Sequence, residues 1–362
     1  MKVIVKREFM NYIRNPVLWI AFIVILWGVY QEVSPYLQIR YFQSEEEVTE
    51  QTSRIKTFED ISDADVMQGY ARATEEQTVF YGMKSIQEVL AESFDLTKEE
   101  AAQVTADVLD KNLNIEESCD YLEEKFGYSG WDFYFKNYDY CPGTMESVNG
   151  FIREKLDEHP FSWYIAMKFA DFAGLYMGFA AAVLLAFLFI RDTKKDTYEL
   201  LHTKPVSACS YILGKAGGGM AVILLILAVL NLVFGVLCVI QGNKAGFPVS
   251  FLDFPKATLL YIMPNMLMIV SVYSVMALIF RNPLPAAPFL FLHMIYSNMG
   301  TTGPDGSYDY TGRFLAIMVR FPGRLFEITP PPMWMMNQIF LAVASVILLV
   351  CSVNIWKRRR YY

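Results

Sequence analysis

Six apolar runs in this sequence, each long enough or nearly long enough to cross a lipid bilayer, constrain its fold most strongly. A spanning helix needs about 20 apolar residues, because the hydrocarbon core is about 30 Å thick and a helix rises about 1.5 Å per residue. Backbone N–H and C=O groups cannot stay unpaired in lipid, so such runs predict helices. The runs occupy residues 16–32, 161–190, 211–240, 257–280, 283–298 and 334–356.

Charged residues are segregated along the chain. Residues 32–160 hold 29 of the 38 acidic residues and 11 of the 31 basic residues, a net charge of −18, whereas the rest of the chain carries +11. The pattern predicts an all-α polytopic membrane protein with six transmembrane helices and a mainly helical extracytoplasmic domain over residues 33–160. It argues against a soluble enzyme, a disordered chain and a nucleic-acid-binding protein, since no basic patch with interleaved aromatics lies outside the ends of the runs.

Lysine and arginine near the ends of the runs predict the orientation. With a cytoplasmic N-terminus, 14 of them lie at inner ends and five lie on the short outer loops. Six spans then leave both termini inside, with a cytoplasmic tail at 357–362, and place the loop 299–333 outside. A basic start before an apolar run is also typical of a signal peptide, but no small-residue cleavage site follows here.

Residues 1–15 predict a short amphipathic helix on the inner leaflet, or else simply a charged flank. The candidate residues of this helix are Lys6, Arg7, Glu8, Phe9 and Arg14. Asn15-Pro16 and Asn282-Pro283 each predict the start of a helix, because asparagine can cap a free N–H and proline has none to leave unpaired.

The acidic segment carries helix signals. Thr97 and Asn114 are predicted N-caps, and Gly127 a helix stop. The aromatic run at 128–140 is either the packing centre of this domain or an exposed recognition surface, with the core favoured. Cys119 and Cys141 both fall outside the membrane, where a disulfide can form, and we expect them to be bonded.

Polar residues within the apolar runs are candidates for a translocation pathway or gate, although tying helices together is their commoner role. They are Lys168, Asp171, Asn231, Asn265, His293 and Asn337. Lys168 and Asp171 lie three residues apart, so they can also form a local pair near the outer interface.

No catalytic motif accompanies these residues. The sequence contains no G-x-x-x-x-G-K-[ST], H-E-x-x-H, G-x-S-x-G or C-x-x-C, and its three histidines lie far apart. We therefore expect no catalytic, cofactor or metal site, and intramembrane peptidase activity has little support. Gly214 and Gly218, like Gly174 and Gly178, have the spacing that lets helices pack closely.

The inner loop 191–210 is the most informative stretch. It reads RDTKKDTYELLHTKPVSACS, in which a cluster of apolar side chains lies beside a turn that proline makes rigid. Ser207 or Ser210 can cap the next helix. A loop that transmits force needs this combination. Leu200 and Leu201 with Tyr198 provide the apolar side chains, and Pro205 provides the stiffness.

These residues resemble the permease subunits of ABC-2 type ATP-binding cassette exporters. In that family the second and third spans are joined by E-L-L-x-T-x-P-V-S and a short apolar run ending in G-K, as at 199–207 and 212–215 here. The N-terminal K-R-E-F…R-N-P-x-x-W is similar to the family's opening elbow, and the large insert after the first span is similar to a subgroup of these permeases.

The resemblance implies an exporter permease in a bacterial cytoplasmic membrane. This chain would bind no cofactor, and ATP and Mg would be bound by a separate ATPase subunit. The residues that would couple this subunit to the spans are Tyr198, Glu199, Leu200, Leu201, Thr203, Pro205 and Val206. A second permease copy and membrane lipid are the other implied partners. The substrate would be a peptide, an antibiotic or other amphipathic compound, or an ion. The alternatives are a peptide-sensing or immunity scaffold and a secondary transporter driven by an ion gradient.

Overall fold

The chain is mostly helical and forms two compact units, one of Met1–Gln38 with His159–Tyr362 and the other of Ile39–Glu158. We call them the membrane unit and the acidic unit. The acidic unit lies within the predicted segment 33–160. The computed structural model describes residues 1–54, 65–94, 96–136, 138, 140–187, 190, 206–299, 301–302, 308–309, 313–318, 320–321 and 324–360.

Among the described residues, α-helices and two small two-stranded sheets are the main secondary structure, with a few short 3-10 turns between them. In chain order the helices are α1 (Lys2–Ile13), α2 (Pro16–Val33), α3 (Glu45–Ser53), α4 (Glu75–Ser93), α5 (Lys98–Asp110), α6 (Ile115–Phe126), α7 (Asp132–Lys136), α8 (Met145–Glu158), α9 (Phe161–Leu184), α10 (Ala208–Ala245), α11 (Asp253–Ala257), α12 (Met263–Phe280), α13 (Ala286–Asn298) and α14 (Trp334–Arg360). The strands pair antiparallel, β1 (Tyr70–Arg72) with β2 (Tyr140–Pro142) and β3 (Thr301–Thr302) with β4 (Tyr308–Asp309).

Within the described residues, five helical segments are long and apolar enough to cross a membrane: α2, α9, α10, the stretch Asp253–Phe280 that contains α11 and α12, and α14. They confirm a mainly helical, multi-pass membrane protein. The most enclosed is α9, which packs against α2, α10, α12 and α13; 72% of its apolar 18-residue stretch is buried, against 22% of the corresponding stretches of α2 and α14.

The fifth predicted span differs from the structure. Its helix α13 begins at Ala286 and has 13 residues, or about 20 Å of length, which is less than the hydrocarbon thickness. Asn282 Oδ1 does accept the N–H of Leu284 at 3.1 Å, but this bond precedes the helix instead of capping it. Pro285 disfavours the helical conformation of Leu284, the residue before it, so the helix begins only after this proline. A sixth span stays a prediction.

The third and fourth predicted spans differ at their ends. The 38 residues of α10 correspond to about 57 Å and outrun the predicted 211–240 at both ends. It ends at Gly246, whose φ of 75° suits the left-handed cap. In the fourth span a π-helical turn at Thr258–Ile262 separates α11 from α12, just before Pro264, whose missing N–H interrupts the regular hydrogen-bond pattern.

The acidic unit is built from capped helices around an apolar core. Thr97 and Asn114 both form full capping boxes, and Gly127 ends α6 with a φ of 66°, as predicted. The aromatic run packs inward through Trp131 and Phe135, which are fully enclosed with side chains of α4, α5 and α6. The prediction of a packing centre is therefore confirmed for these two rings.

Candidate functional site

The predicted coupling loop leads directly into α10. Tyr198, Glu199, Leu200, Leu201, Thr203 and Pro205 lie outside the described residues, and Val206 is half-buried. Ser207 Oγ then accepts the N–H of Ser210 at 3.2 Å and caps the helix. The loop therefore ends at one of the two predicted capping residues, where the N-terminus of α10 is fixed.

The predicted elbow is a helix, α1, and it packs along α10. Lys6, Arg7 and Arg14 are exposed and Phe9 is partly exposed, as an amphipathic pattern requires. The acidic residue is the exception. Glu8 is buried, and its Oε1 lies 3.0 Å from Nζ of Lys215, which is also buried. One face of α1 thus carries a charge that α10 neutralises.

Small residues on α10 bring the two helices close enough for this ion pair. A Cβ at Gly214 would lie 2.9 Å from the side chain of Ile4, and a Cβ at Gly218 would overlap the Cβ of Glu8. The small-residue spacing predicted to pack helices therefore does so here, with α1 as the partner. We call this contact the α1–α10 junction.

A second polar centre lies on α9, where the buried carboxylate of Asp171 holds Arg320 with both oxygens. Arg320 Nε lies 2.6 Å from Oδ1 and Nη2 lies 3.0 Å from Oδ2, and the N–H of Phe321 also donates to Oδ1 at 3.0 Å. Such a bidentate pair is strong and directional. Lys168 is buried too, with Nζ 5.2 Å from the ring centroid of Tyr36. Neither residue belongs to the surface pair that their spacing suggested.

Arg320 belongs to a loop whose backbone is bound by side chains of several helices. We call residues 313–318 and 320–321 the clamped segment. Besides the Asp171 contacts, its hydrogen bonds are His293 Nε2 with the Leu315 carbonyl (3.0 Å), Ile317 N–H to Ser297 Oγ (3.1 Å), Arg320 N–H to Asn298 Oδ1 (3.1 Å) and Asn337 Nδ2 to the Ala316 carbonyl (2.9 Å). Two predicted pathway residues, His293 and Asn337, therefore hold loop backbone in this structure.

The clamped segment also inserts a side chain into the helices. Met318 is buried and has a φ of 59°, a backbone conformation that costs energy for a residue with a Cβ. A Cβ at Gly178 of α9 would overlap its sulfur, whereas a Cβ at Gly174 would have only Ile262 nearby, at 3.9 Å. Gly178 therefore makes room for Met318, and the surrounding hydrogen bonds hold the strained backbone.

The two remaining pathway candidates bind neighbouring backbone and side chains. Asn231 Oδ1 accepts the hydroxyl of Thr258 at 3.0 Å, which ties α10 to the π-helical turn. Asn265 Nδ2 donates to the carbonyl of Tyr261 at 2.7 Å. Helix tying, the commoner role, therefore describes Asn231 in this structure.

The expected disulfide is absent from the structure: Cys119 and Cys141 are not bonded to each other. Cys119 lies on α6 against the core, whereas Cys141 is buried in β2, opposite Ala71 of β1. The spacing of the two cysteines along the chain does not determine where either of them lies in the fold. Burial raises the pKa of Cys119 to about 11, and the negative charge of Asp132 adds to this effect.

Arg320 and Lys215 are functional candidates that the sequence reasoning missed, since it counted both as charges near span ends, and Lys215 also as the end of the G-K motif, without a partner for either. For Lys215 a signal was available, because a lone charge inside an apolar helix requires a partner. For Arg320 there was none, because no local pattern points to a residue 149 positions away.

Comparison with known proteins assigns a family to most of the chain. The family model described as ABC-2 family transporter protein matches residues 2–304, which include both helices of the α1–α10 junction and Asp171. The matched region ends before the clamped segment. No curated protein and no solved structure matches the chain.

Proposed function

The chain belongs to the ABC-2 family of transporter proteins, and on that premise we propose that it is the permease subunit of an exporter driven by a separate ATPase. The family match over most of the chain carries the proposal. As a member of this family the chain is a multi-pass transporter subunit, and such membrane domains are not themselves catalytic. ATP and Mg would be bound by the partner, which is an ATP-binding cassette subunit.

We propose that the ATPase docks on the coupling loop and α1, and the α1–α10 junction supports this docking position. The coupling loop, with Glu199 and Leu201, enters α10 at Ser207, and Lys215 lies two turns further along. Since Lys215 pairs with Glu8, a push on the loop would move the start of α10 together with α1. In the proposed orientation both termini are cytoplasmic, and the ATPase would reach these elements from the cytoplasmic side of a bacterial plasma membrane.

The low burial of α2 and α14 supports the proposal of a second permease copy. Only 22% of α2 and of α14 is buried within the chain, so their apolar faces are available to lipid or to another copy. We propose that two copies form the pathway between them, and that the substrate is a peptide, an antibiotic or other amphipathic compound, or an ion.

The test is purification of the tagged full-length chain from its native membrane. We expect an ATP-binding cassette subunit to co-purify and the complex to hydrolyse ATP in a vanadate-sensitive way. Glu199→Gln and Leu201→Ala should lower transport without changing membrane insertion. Glu99→Gln, on the exposed surface of α5, is the matched control and should be silent. Normal transport in a cell that lacks every candidate ATPase would contradict the proposal.

A further inference from the structure

A groove of about 420 Å³ lies beside the α1–α10 junction. The start of the chain and α10 form its walls, and the residues that line it are Met1, Lys2, Val5, Lys6, Phe9 and Ala221. The lining surface is almost entirely apolar, so the two lysines contribute mainly their methylene stems. An apolar cavity of about 150 Å³ accommodates benzene, so the groove has room for a stretch of hydrocarbon chain.

The position of the groove along α10 places it at the edge of the hydrocarbon core of the membrane. Residues 216–243 of α10 carry no charged side chain, and these 28 residues correspond to about 42 Å of helix. A hydrocarbon core of about 30 Å, centred on this stretch, leaves about 6 Å, or about four residues, at either end. Ala221 therefore lies just inside the core.

The helices α1 and α10 run in the same direction beside the groove. Ile4 of α1 lies against Gly214, and Glu8, one turn later in α1, lies against Gly218, one turn further along α10. The start of α1 is therefore the end that lies farther from the hydrocarbon core.

Two lysines make this outer end of the groove basic. Lys2 and Lys6 are both exposed and lie one turn apart on α1, and Lys2 lies about 10 Å along the helix from Phe9. The two helices α1 and α10 together contain one acidic residue, Glu8, which Lys215 already neutralises. No carboxylate of either helix is therefore left to balance the two lysines, whose flexible stems let their ammonium groups reach the headgroup region.

We propose that the groove binds one anionic phospholipid of the surrounding leaflet, with part of an acyl chain along Phe9 and Ala221 and the phosphate beside Lys2 and Lys6. Such a lipid joins a hydrocarbon chain to a negative headgroup, in the order in which the groove joins apolar walls to positive charge. Because α1 and α10 both contact the lipid, its binding stabilises the junction between them. The inference rests on the membrane location of the chain and not on the proposed exporter activity.

Native mass spectrometry of the purified full-length chain in detergent measures the binding of single lipids. The probes are dioleoylphosphatidylglycerol, which has a net negative charge, and dioleoylphosphatidylcholine, which has the same acyl chains and no net charge. The variant Lys2→Gln/Lys6→Gln removes the basic end of the groove, and Ala221→Phe fills its apolar end. The matched control is Lys357→Gln/Arg358→Gln, which removes two exposed bases from the end of α14.

We expect the wild type to bind its first phosphatidylglycerol about thirtyfold more tightly than phosphatidylcholine, since each lysine near anionic lipid contributes about fivefold. Lys2→Gln/Lys6→Gln should bind both lipids equally, and Ala221→Phe should lose the tight binding step. The α14 control should keep the wild-type preference. Inorganic phosphate should not displace the lipid, because it has no chain to occupy the groove.

Equal binding of both lipids by the wild type would overturn the site and indicate lipid that coats the protein without selection. A preference that survives in either groove variant, or that disappears in the α14 control, would also overturn it. Displacement by inorganic phosphate would indicate an anion site without a lipid chain. A wild-type dimer that binds no phosphatidylglycerol, together with a monomeric Ala221→Phe chain, would mean that a second copy fills the groove. Either of these two results would refute the proposal.

Discussion

Replacing Glu8 by Gln removes the negative charge that faces Lys215 inside the α1–α10 junction. The two side chains are only 11% and 5% exposed, so the remaining ammonium loses its carboxylate partner in a place that water hardly reaches. Removing one member of a buried ion pair costs about 3–5 kcal/mol. We expect this cost to appear as detachment of α1 from α10, since α1 makes most of its contacts there.

Hydrogen exchange of the α1 amides, followed by mass spectrometry in detergent, measures this detachment. A cost of about 3–5 kcal/mol corresponds to exchange that is faster by about two to nearly four orders of magnitude, because each 1.4 kcal/mol is tenfold. Amides of α9, away from the junction, should keep their rates. Arg7→Gln is the matched control, since Arg7 lies on the same helix but is exposed.

The reciprocal variants decide whether the charge pair itself is responsible. Lys215→Met alone should also speed exchange, because it leaves the Glu8 carboxylate buried. The double variant Glu8→Gln/Lys215→Met leaves no buried charge and should restore much of the protection, as replacement of a buried pair by uncharged groups often does. Unchanged exchange in both single variants, or a double variant whose loss equals the sum of the singles, would refute the reasoning.

Two further sets of substitutions and one alkylation rate test other parts of the structure. Asp171→Asn and Arg320→Gln should each lower the thermal unfolding midpoint, and the double variant should lower it no further than either alone, because both break one bidentate pair. Gly178→Ala should cost about 1–3 kcal/mol of unfolding free energy by overpacking, while Gly174→Ala is tolerated; chemical unfolding of both variants compares them directly. The raised pKa keeps the Cys119 thiol protonated below about pH 11, so at pH 8 it should react with iodoacetamide roughly 100-fold more slowly than an ordinary thiol. Its rate should rise about tenfold per pH unit up to about pH 11. Peptide mass spectrometry over time gives the rate, and a fast reaction at pH 8 would contradict the burial argument.

Local signals predicted the helices well because their causes lie within a few residues. The capping residues Asn15, Ser207, Thr97 and Asn114 all accept the expected backbone N–H groups. The apolar runs likewise require helices wherever backbone groups would otherwise meet lipid unpaired. The exception is the run at 283–298, where proline spacing shortened the helix more than hydrophobicity alone suggested.

Partners across the chain could not be predicted, because they depend on packing between distant helices. The pattern placed Asp171 beside Lys168, three residues away, whereas its carboxylate binds Arg320 from a loop near the end of the chain. The elbow pattern marked the exposed bases of α1, yet its closest charge contact is the single acidic residue, Glu8. In both cases the charge partner depends on which side chains are buried together, and this depends on how the assembled helices pack.

The polar contacts of the clamped segment limit how this part of the molecule can open. Releasing it breaks four hydrogen bonds to α13 and α14, the bond from Phe321 N–H to Asp171, and the bidentate pair with Arg320. At about 0.5–1.5 kcal/mol for each of the four bonds to α13 and α14 and about 1.5–3 kcal/mol for each of the three bonds to the charged Asp171 carboxylate, the total is on the order of 10 kcal/mol. Without other compensation, such a state has a population of about 10⁻⁷. A pathway that passes the clamped segment therefore needs an outside source of free energy, and an ATPase partner of the kind proposed would supply it.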